Sequence, residues 1–449
     1  MKIPAKEPDI SVGILTEKQI GFELYGDFKT TGYKNFFSGR FSAEVQNDKI
    51  IFKRGSEKFE AADSITFVPQ DIEAESFLIK DVIIGKKFHW ERKEKQRFIG
   101  TLRLLKDKGK IIVINILPLE KYIVSVISSE MSAKSYLQLL KAQAIVSRSW
   151  LLSNLYSAKE TDSSQSVLRS GKEDEEHIKW YSREEHEHYE VCADDHCQRY
   201  QGITKISTDI SRQAVEQTFG LILQYDNNIC DARYSKSCGG ITESFENVWE
   251  PVKYDYLTSV IDYRFEQDSY NLDFSSEVNS QKWIVSKPPA FCRTSDHSIL
   301  SQVLPSFDQE TKDFYRWQVD YSQEEISSII KIKSGFDFGL ITDLIPIERG
   351  FSGRLIKLRI VGTKKSLIVG KELEIRKFLS KSHLYSSAFI IEKFDVKDNI
   401  PGRFILKGAG WGHGVGLCQI GAAVMAVQGY QFDEILLHYF KGVRLKKIY

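Results

Sequence analysis

Between Asp9 and about Leu117 the pattern of apolar and polar positions is mostly of period two, with short apolar runs. The clearest runs are Ile10-Ser-Val-Gly-Ile14, Ile65-Thr-Phe-Val68 and Ile111-Ile-Val-Ile-Asn-Ile-Leu117. Val, Ile, Phe and Tyr fill the runs and Gly, Asp and Asn separate them, which is the pattern of strands. The segment Gly100–Leu105, the polar Lys106-Asp-Lys-Gly-Lys110 and the Ile111 run predict a hairpin with a loop of about five residues. The period then changes. Leu137, Leu140, Ala144 and Leu151 fall near helical spacing behind Ser132 or Ser135 as N-cap, predicting a helix over about residues 133 to 156. The polar stretch from Ser157 to Glu190 is rich in Ser, Glu and His and reads as a solvated insertion or linker.

Beyond it the pattern predicts a short helix at 209–220, strands at 221–225 and 231–234, and helical character at 322–330 within an irregular polar region, 266–345. Strands return between Asp343 and Ile375, with Leu355–Val361 the clearest. Two helices close the chain. Leu417, Ile420, Val424 and Val427 fit one helical face with Gly429 at C′, and Asp433 is placed to cap a second helix through Phe440. There is no internal repeat. The expected class is α+β: a β-rich N-terminal part (1–117), a mixed core (118–265), a polar insertion (266–345) and a C-terminal part of the core (346–449).

A length of 449 residues corresponds to roughly three domain-sized units. Lys and Arg total 62 against 61 Asp and Glu, a net charge of +1, which excludes nucleic-acid binding driven by bulk charge. No apolar run approaches the ~20 residues needed to cross a bilayer. The N-terminus carries Lys2, Lys6, Glu7 and Asp9 where a secretory signal would need an apolar stretch, so no signal peptide is visible. Six cysteines are too few for a disulfide scaffold.

Four stretches offer chemistry. In Leu117–Ala133, Glu120 and Glu130 are the carboxylates. Glu130 follows the apolar Ile123, Val124, Val126 and Ile127, and a carboxyl among such neighbours can stay protonated as a general acid. The competing reading is a carboxylate at a helix start, satisfied by backbone N–H groups. The second stretch places His186, His188, Cys192, His196 and Cys197 within twelve residues. A tetrahedral zinc site, a Cys192–Cys197 disulfide and two unrelated thiols all remain open there. The third is Gly408–Gly421, where glycines permit close backbone approach to a ligand, or simply a tight turn, around Trp411 and His413. It lacks the residues of a phosphate loop or a dinucleotide fingerprint. The fourth, Asp231–Trp249, presents Tyr234, Ser235, Thr242 and Glu243 around Gly239-Gly240, or forms a hairpin turn with polar flanks. Nothing local marks Cys238 as a nucleophile paired with His413.

Taken together and in this order, these stretches resemble the SpoIID/LytB family. The resemblance rests on Leu117-Pro-Leu-Glu-Lys-Tyr122, Ser129-Glu130-Met131, Lys141–Arg148, Cys192 with His196-Cys197-Gln198, Ser237–Thr242, Trp249, Gly410-Trp-Gly-His-Gly-Val-Gly416 and His438-Tyr439. It implies a SpoIID-like core with a glycan groove, and a peptidoglycan lytic transglycosylase in which Glu130 acts first as acid and then as base. Cleavage between MurNAc and GlcNAc would leave 1,6-anhydroMurNAc ends. The resemblance implies that Arg148, Tyr234, Ser235, Thr242, Trp411, His413 and Gln419 line the groove. It also implies a structural Zn2+ held by His186, Cys192, His196 and Cys197, with His188 the substitute for His186. A second implied reading is a non-catalytic, LytB-like enhancer that holds peptidoglycan strands or a cell-wall amidase. Either reading implies the cell envelope or periplasm, although no signal peptide is visible and a cytoplasmic location stays open. Cys418 and Cys238 depart from the family pattern, standing where small polar residues are usual, and the 266–345 insertion has no counterpart in the resemblance.

Overall fold

The alternating runs fold into strands β1 (Asp9–Glu17), β2 (Gln19–Thr30), β3 (Phe37–Gln46), β4 (Lys49–Arg54), β5 (Glu57–Ala61), β6 (Ser64–Pro69), β7 (Ser76–Ile84), β8 (Arg92–Phe98), β9 (Thr101–Asp107) and β10 (Lys110–Pro118). In the computed structural model, which describes residues 4–85, 91–132, 135–156, 176–181, 186–194, 196–206, 208–264, 273–304 and 313–449, they share one sheet with the short strand Val191–Cys192. Its order is Val191–Cys192, β1, β10, β9, β6, β2, β3, β4, β5, with β7 against β2 and β8 against β7. The inward positions of β2, β3, β4 and β6 supply Phe22, Phe41, Phe52 and Phe67. These buried rings meet at centroid spacings from 5.1 to 6.4 Å, a packing in which aromatic pairs add to area burial.

The β9–β10 hairpin is tighter than the sequence pattern suggests. Asp107 pairs with Lys110, leaving Lys108 and Gly109 as the turn with φ of 47° and 74°. Positive φ at both residues is the type I′ geometry that matches strand twist, so Lys106 and Lys110 belong to strands.

β10 runs directly into helix α1 (Leu119–Glu130), followed by α2 (Leu137–Tyr156) and α3 (Ile210–Gln217). The helix expected from 133 begins instead at Leu137; residues 133 and 134 lie outside the described residues. α2 is buried continuously from Ala142 to Ser153, so it is an interior helix rather than one with a single apolar stripe. These elements belong to a compact unit made of Met1–Tyr156, Glu184–Ile222 and Lys446–Tyr449.

The second unit comprises Ser157–Arg183 and Leu223–Leu445. Most of the polar stretch 157–190 and parts of the 266–345 insertion lie outside the described residues. The unit holds helices α4 (Glu277–Ser286), α5 (His297–Val303), α6 (Gln323–Ser334), α7 (Glu372–Phe378), α8 (Gln419–Val427) and α9 (Phe432–Tyr439). One sheet orders Glu176–Ile178, Ser366–Gly370, Leu355–Gly362 and Ile341–Arg349; another orders Arg316–Ser322, Arg403–Ala409 and Phe389–Phe394. Both share a core with α6 and α7 that includes Ile326, Ile330, Leu358, Ile375 and Leu406. α6 starts at a capping box of Ser322 and Glu325. α8 ends as expected, with Gly429 at φ 93° donating to the Ala426 carbonyl. α9 is capped by Gln431 with Glu434, two residues before Asp433, which falls in the first turn. The fold is thus α+β, as the pattern implies.

Candidate functional site

Glu130 is the last residue of α1. It stands at the carbonyl end of one helix rather than just before the amide end of the next, which begins only at Leu137. Ser128 and Ser129 turn their hydroxyls back onto the Val124 and Ser125 carbonyls at 2.8 and 2.7 Å, closing the helix end around itself. The Glu130 carboxylate accepts the backbone N–H of Arg199 on Oε1 at 3.0 Å. A backbone donor fixes a carboxylate with little freedom to swing.

Arg199 follows the Cys/His segment. Ligand atoms of His186, Cys192, His196 and Cys197 all lie within 4.8 Å of one another. His186 Nε2 is 3.3 Å from Cys197 Sγ, His196 Nδ1 is 3.4 Å from Cys197 Sγ, and Cys192 Sγ is 3.8 Å from His196 Nδ1. Metal–sulfur and metal–nitrogen bonds of about 2.3 and 2.0 Å give tetrahedral edges of roughly 3.5 to 3.8 Å, so these four residues fit one zinc ion. Cys192 and Cys197 are free thiols, which removes the disulfide alternative. The Cys197 thiol and His196 hydrogen-bond to Cys192 and hold its thiol down at about 3, while the same contact pushes Cys197 up. One thiolate is already favoured, as a metal site needs. His188 takes a different place, with Nε2 3.9 Å from Asp107 Oδ2.

The segment is tied to the sheet and to the helices. Val191–Cys192 pairs in parallel with Val12–Gly13, and the Tyr189 ring covers Gly13 so closely that a Cβ there would lie 2.4 Å from it. Gln198 accepts the Tyr122 hydroxyl at 3.2 Å and donates to the Ser147 carbonyl at 3.3 Å. The cluster, Gln198 and Arg199 therefore form one continuous support running to Glu130. A cavity of about 320 Å3 opens beside the cluster, lined by Tyr189, His196, Arg199 and Gln96 among others.

Arg148, expected to line a groove, is fully buried in α2. Its Nε and Nη2 donate to Glu120 Oε1 and Oε2 at 2.8 and 2.5 Å, and its Nη1 donates to the Leu221 carbonyl at 2.8 Å. Glu120 also accepts the Gly220 N–H at 3.2 Å and the Tyr449 hydroxyl at 2.7 Å. The bidentate pair closes an internal ion pair between α1 and α2 and leaves this guanidinium no face toward solvent. This is a correction to the expected role, caused by the burial of α2 on all sides.

The remaining expected residues belong to the second unit. The strand Tyr234–Ser235 pairs in parallel with Leu417–Cys418, Ser237 and Trp411 exchange two backbone hydrogen bonds, and Glu243 N–H donates to the Gly414 carbonyl at 2.9 Å. These contacts lace the Asp231–Trp249 segment to the Gly-rich loop, whose Gly410, Gly412, Gly414 and Gly416 all have positive φ. Trp411 is partly exposed and packs against Tyr385 and Phe314 at centroid distances of 4.5 and 4.7 Å. Tyr234 is partly exposed. Ser235, Thr242 and Gln419 are buried. Thr242 Oγ1 accepts the Val260 N–H at 2.8 Å and so holds the neighbouring turn. His413 Nδ1 accepts the Val415 N–H at 3.0 Å, which puts any ring proton on Nε2, and its ring meets Trp249 edge-on at 5.1 Å. Burial first, and then Arg233, hold the imidazole down at about 3, so it is neutral at ordinary pH.

Two further side chains support this loop: Arg354, which carries no local sequence signal, and Glu243 of the Asp231–Trp249 stretch. Arg354 is fully buried under it; a Cβ on Gly414 would lie 2.3 Å from the guanidinium carbon. Glu243 is also fully buried and accepts from Ser244 N–H, Asn247 Nδ2 and Ser352 Oγ at 2.9, 2.8 and 2.6 Å.

Residues 107–225 match the family model described as Stage II sporulation protein (SpoIID). Residues 243–416 match a second model described as Domain of unknown function (DUF8618), a span that contains the whole 266–345 insertion. The chain is 26% identical over 333 residues to the stage II sporulation protein D of Bacillus amyloliquefaciens, covering 74% of this chain and 75% of that one. It is 22% identical over 334 residues to the stage II sporulation protein D of Bacillus subtilis (strain 168), with coverage of 74% and 75%. It is 24% identical over 246 residues to the amidase enhancer of the same strain, over 52% of this chain but only 32% of that protein, about a third of its length. Glu130, Arg148 and the Cys/His cluster all fall inside the SpoIID match, and Trp411 and His413 inside the other.

Proposed function

We propose that the protein cleaves peptidoglycan glycan strands as a lytic transglycosylase, with Glu130 the catalytic acid and base. The observation that carries this reading is the Glu130 carboxylate within the SpoIID match, at the end of α1 and held on Oε1 by the Arg199 amide. In this reading the carboxylic acid protonates the glycosidic oxygen as the MurNAc–GlcNAc bond breaks. The resulting carboxylate then takes the proton from the MurNAc 6-hydroxyl, whose oxygen closes the 1,6-anhydro ring. One carboxyl serves both steps because no water is added, unlike the paired carboxylates of a hydrolase. Zinc at the Cys/His cluster would be structural, since four protein ligands leave no open position. In the second unit we assign sugar contacts to Trp411 and Tyr234, where a partly exposed indole suits a sugar face. An envelope substrate places the protein in the cell envelope. No helix among the described residues is long and apolar enough to cross a membrane.

Digestion of glycan stripped of stem peptides, followed by mass spectrometry, should yield 1,6-anhydro ends. Glu130→Gln should abolish them, and undiminished product from that variant would refute the assignment. The similarity to the amidase enhancer supports a second reading, in which the chain binds glycan and stimulates a cell-wall amidase without cutting. Glycan binding with no anhydro product, and amidase stimulation retained in Glu130→Gln, would favour it.

A further inference from the structure

Four residues far apart in sequence converge inside the second unit. Cys238, Asp262, Cys292 and Cys418 each present a ligand atom, all within 4.8 Å of one another, and the four side chains are between 0 and 1% exposed. Cys238 Sγ and Cys292 Sγ are 3.8 Å apart, the edge expected of a tetrahedron with metal–sulfur bonds of about 2.3 Å. We propose that these residues form a second metal site, in which three thiolates and one carboxylate bind a single divalent cation of the zinc type.

Buried thiols alone would carry nothing, because free cysteine packs readily as a small apolar group. The carboxyl changes the argument. Asp262 Oδ1 accepts the Tyr439 hydroxyl at 2.6 Å and Oδ2 accepts the Cys292 N–H at 2.8 Å, so both oxygens act as acceptors. No Lys, Arg or His among the described residues forms an ion pair with it. A buried carboxylate without a cation is costly, and a metal ion supplies the missing charge. The sulfurs are also hydrogen-bonded as metal thiolates are. Cys418 Sγ accepts the Cys238 N–H at 3.2 Å and Cys238 Sγ accepts the Gly240 N–H at 3.4 Å. Three thiols and an acid around one small volume match the soft-to-borderline preference of zinc rather than magnesium or calcium. Cys418 is the residue before α8 and follows the Gly-rich loop, while Cys238 follows the strand that pairs with it. The ion would join four segments at the base of that loop, with the thiol protons released to solvent on binding.

The test uses the full chain expressed with zinc, with metal counted by mass spectrometry of the ashed protein. The wild type should carry two ions per chain. Cys192→Ser with Cys197→Ser should carry one, and cobalt in that variant should give thiolate-to-metal absorption. Adding Cys238→Ser and Cys418→Ser should remove the remaining ion. Asp262→Asn should weaken retention against a chelator while leaving the first site loaded. One ion in the wild type and none in the Cys192→Ser, Cys197→Ser variant would overturn the proposal. So would a Cys238–Cys292 disulfide in protein alkylated before unfolding. If the serine variants do not fold, the wild-type count of two against one decides.

Discussion

The backbone N–H of Arg199 reaches Glu130 Oε1 across 3.0 Å, joining the segment that holds the Cys/His cluster to the end of α1. The donor is main chain, so the identity of residue 199 should matter little and its amide a great deal. Hydrogen bonds to charged groups contribute about 1.5–3 kcal/mol, or about 10- to 100-fold in rate where the contact orients a reacting group. Arg199→Ala should retain most anhydro-end formation. Arg199→Pro, which removes the amide, should lose about 10-fold or more. Circular dichroism on both proteins separates this from unfolding; equal activities would show that the amide does not position Glu130.

The Glu120–Arg148 pair makes a prediction about stability. Arg148 is fully buried and Glu120 nearly so. Breaking such a pair from one side leaves an uncompensated buried charge, at a cost of about 3–5 kcal/mol. Arg148→Met and Glu120→Gln should each lower the urea midpoint strongly. The double variant should be less destabilised than the sum of the two, and additive losses would argue against the coupling.

What was legible in the sequence follows from how local each signal is. The β-rich part shows in the period of β6, which buries alternate residues, and in the short apolar runs of β1 and β10, which are buried almost continuously. α1 shows no such face: Ile123, Val124, Val126 and Ile127 are β-branched, every residue from Tyr122 to Ser129 is buried, and Pro118 occupies the N-cap without a side-chain cap. Its helical period is therefore hidden, and Glu130 reads as preceding a helix rather than ending one. The Cys/His cluster is visible because His186 to Cys197 span one short segment. Arg354, and the quartet of Cys238, Asp262, Cys292 and Cys418, come together only through tertiary packing, which no local spacing encodes.

Acid should destabilise the second unit through its partly buried histidines. Burial is the first cause holding His413 and His383 down at about 3 and His438 at about 4, against an ordinary value of 6.5. Between those values the unfolded chain binds protons that the folded one refuses. Stability is then complete above about pH 6.5 and falls as pH drops toward 3. His413→Gln should flatten part of this acid limb in urea titrations read by hydrogen exchange of the second unit. An unchanged slope between pH 6 and 4 would show that His413 titrates alike in both states.

Metal removal should be felt first along the Cys192–Arg199 segment. Cys192→Ala and Cys197→Ala should each lose the ion of the first cluster, and the amides of Gln198 and Arg199 should then exchange faster with deuterium. The β3–β5 region should be unaffected, since it lies at the opposite end of the strand order from Val191–Cys192. Full metal content in both variants would refute the ligand set. Intact catalysis without metal would confine the ion to a structural role.

Gly414 tests whether the Gly-rich loop is shaped by the arginine beneath it. Its φ is 79°, and an added Cβ would meet the Arg354 guanidinium at 2.3 to 2.6 Å. Arg354 has little room to retreat, because it is fully buried and donates to Ser352 Oγ, the Cys238 carbonyl and the Gly412 carbonyl. Backbone strain of about 1–2 kcal/mol and overpacking of about 1–3 kcal/mol therefore act together in Gly414→Ala. Gly429→Ala has a similar φ of 93° but nothing within 4 Å of the new carbon, so it carries the strain alone. The first variant should be the more destabilised in urea by about 1–3 kcal/mol. Equal losses would mean that backbone conformation, and not the arginine, requires glycine at 414.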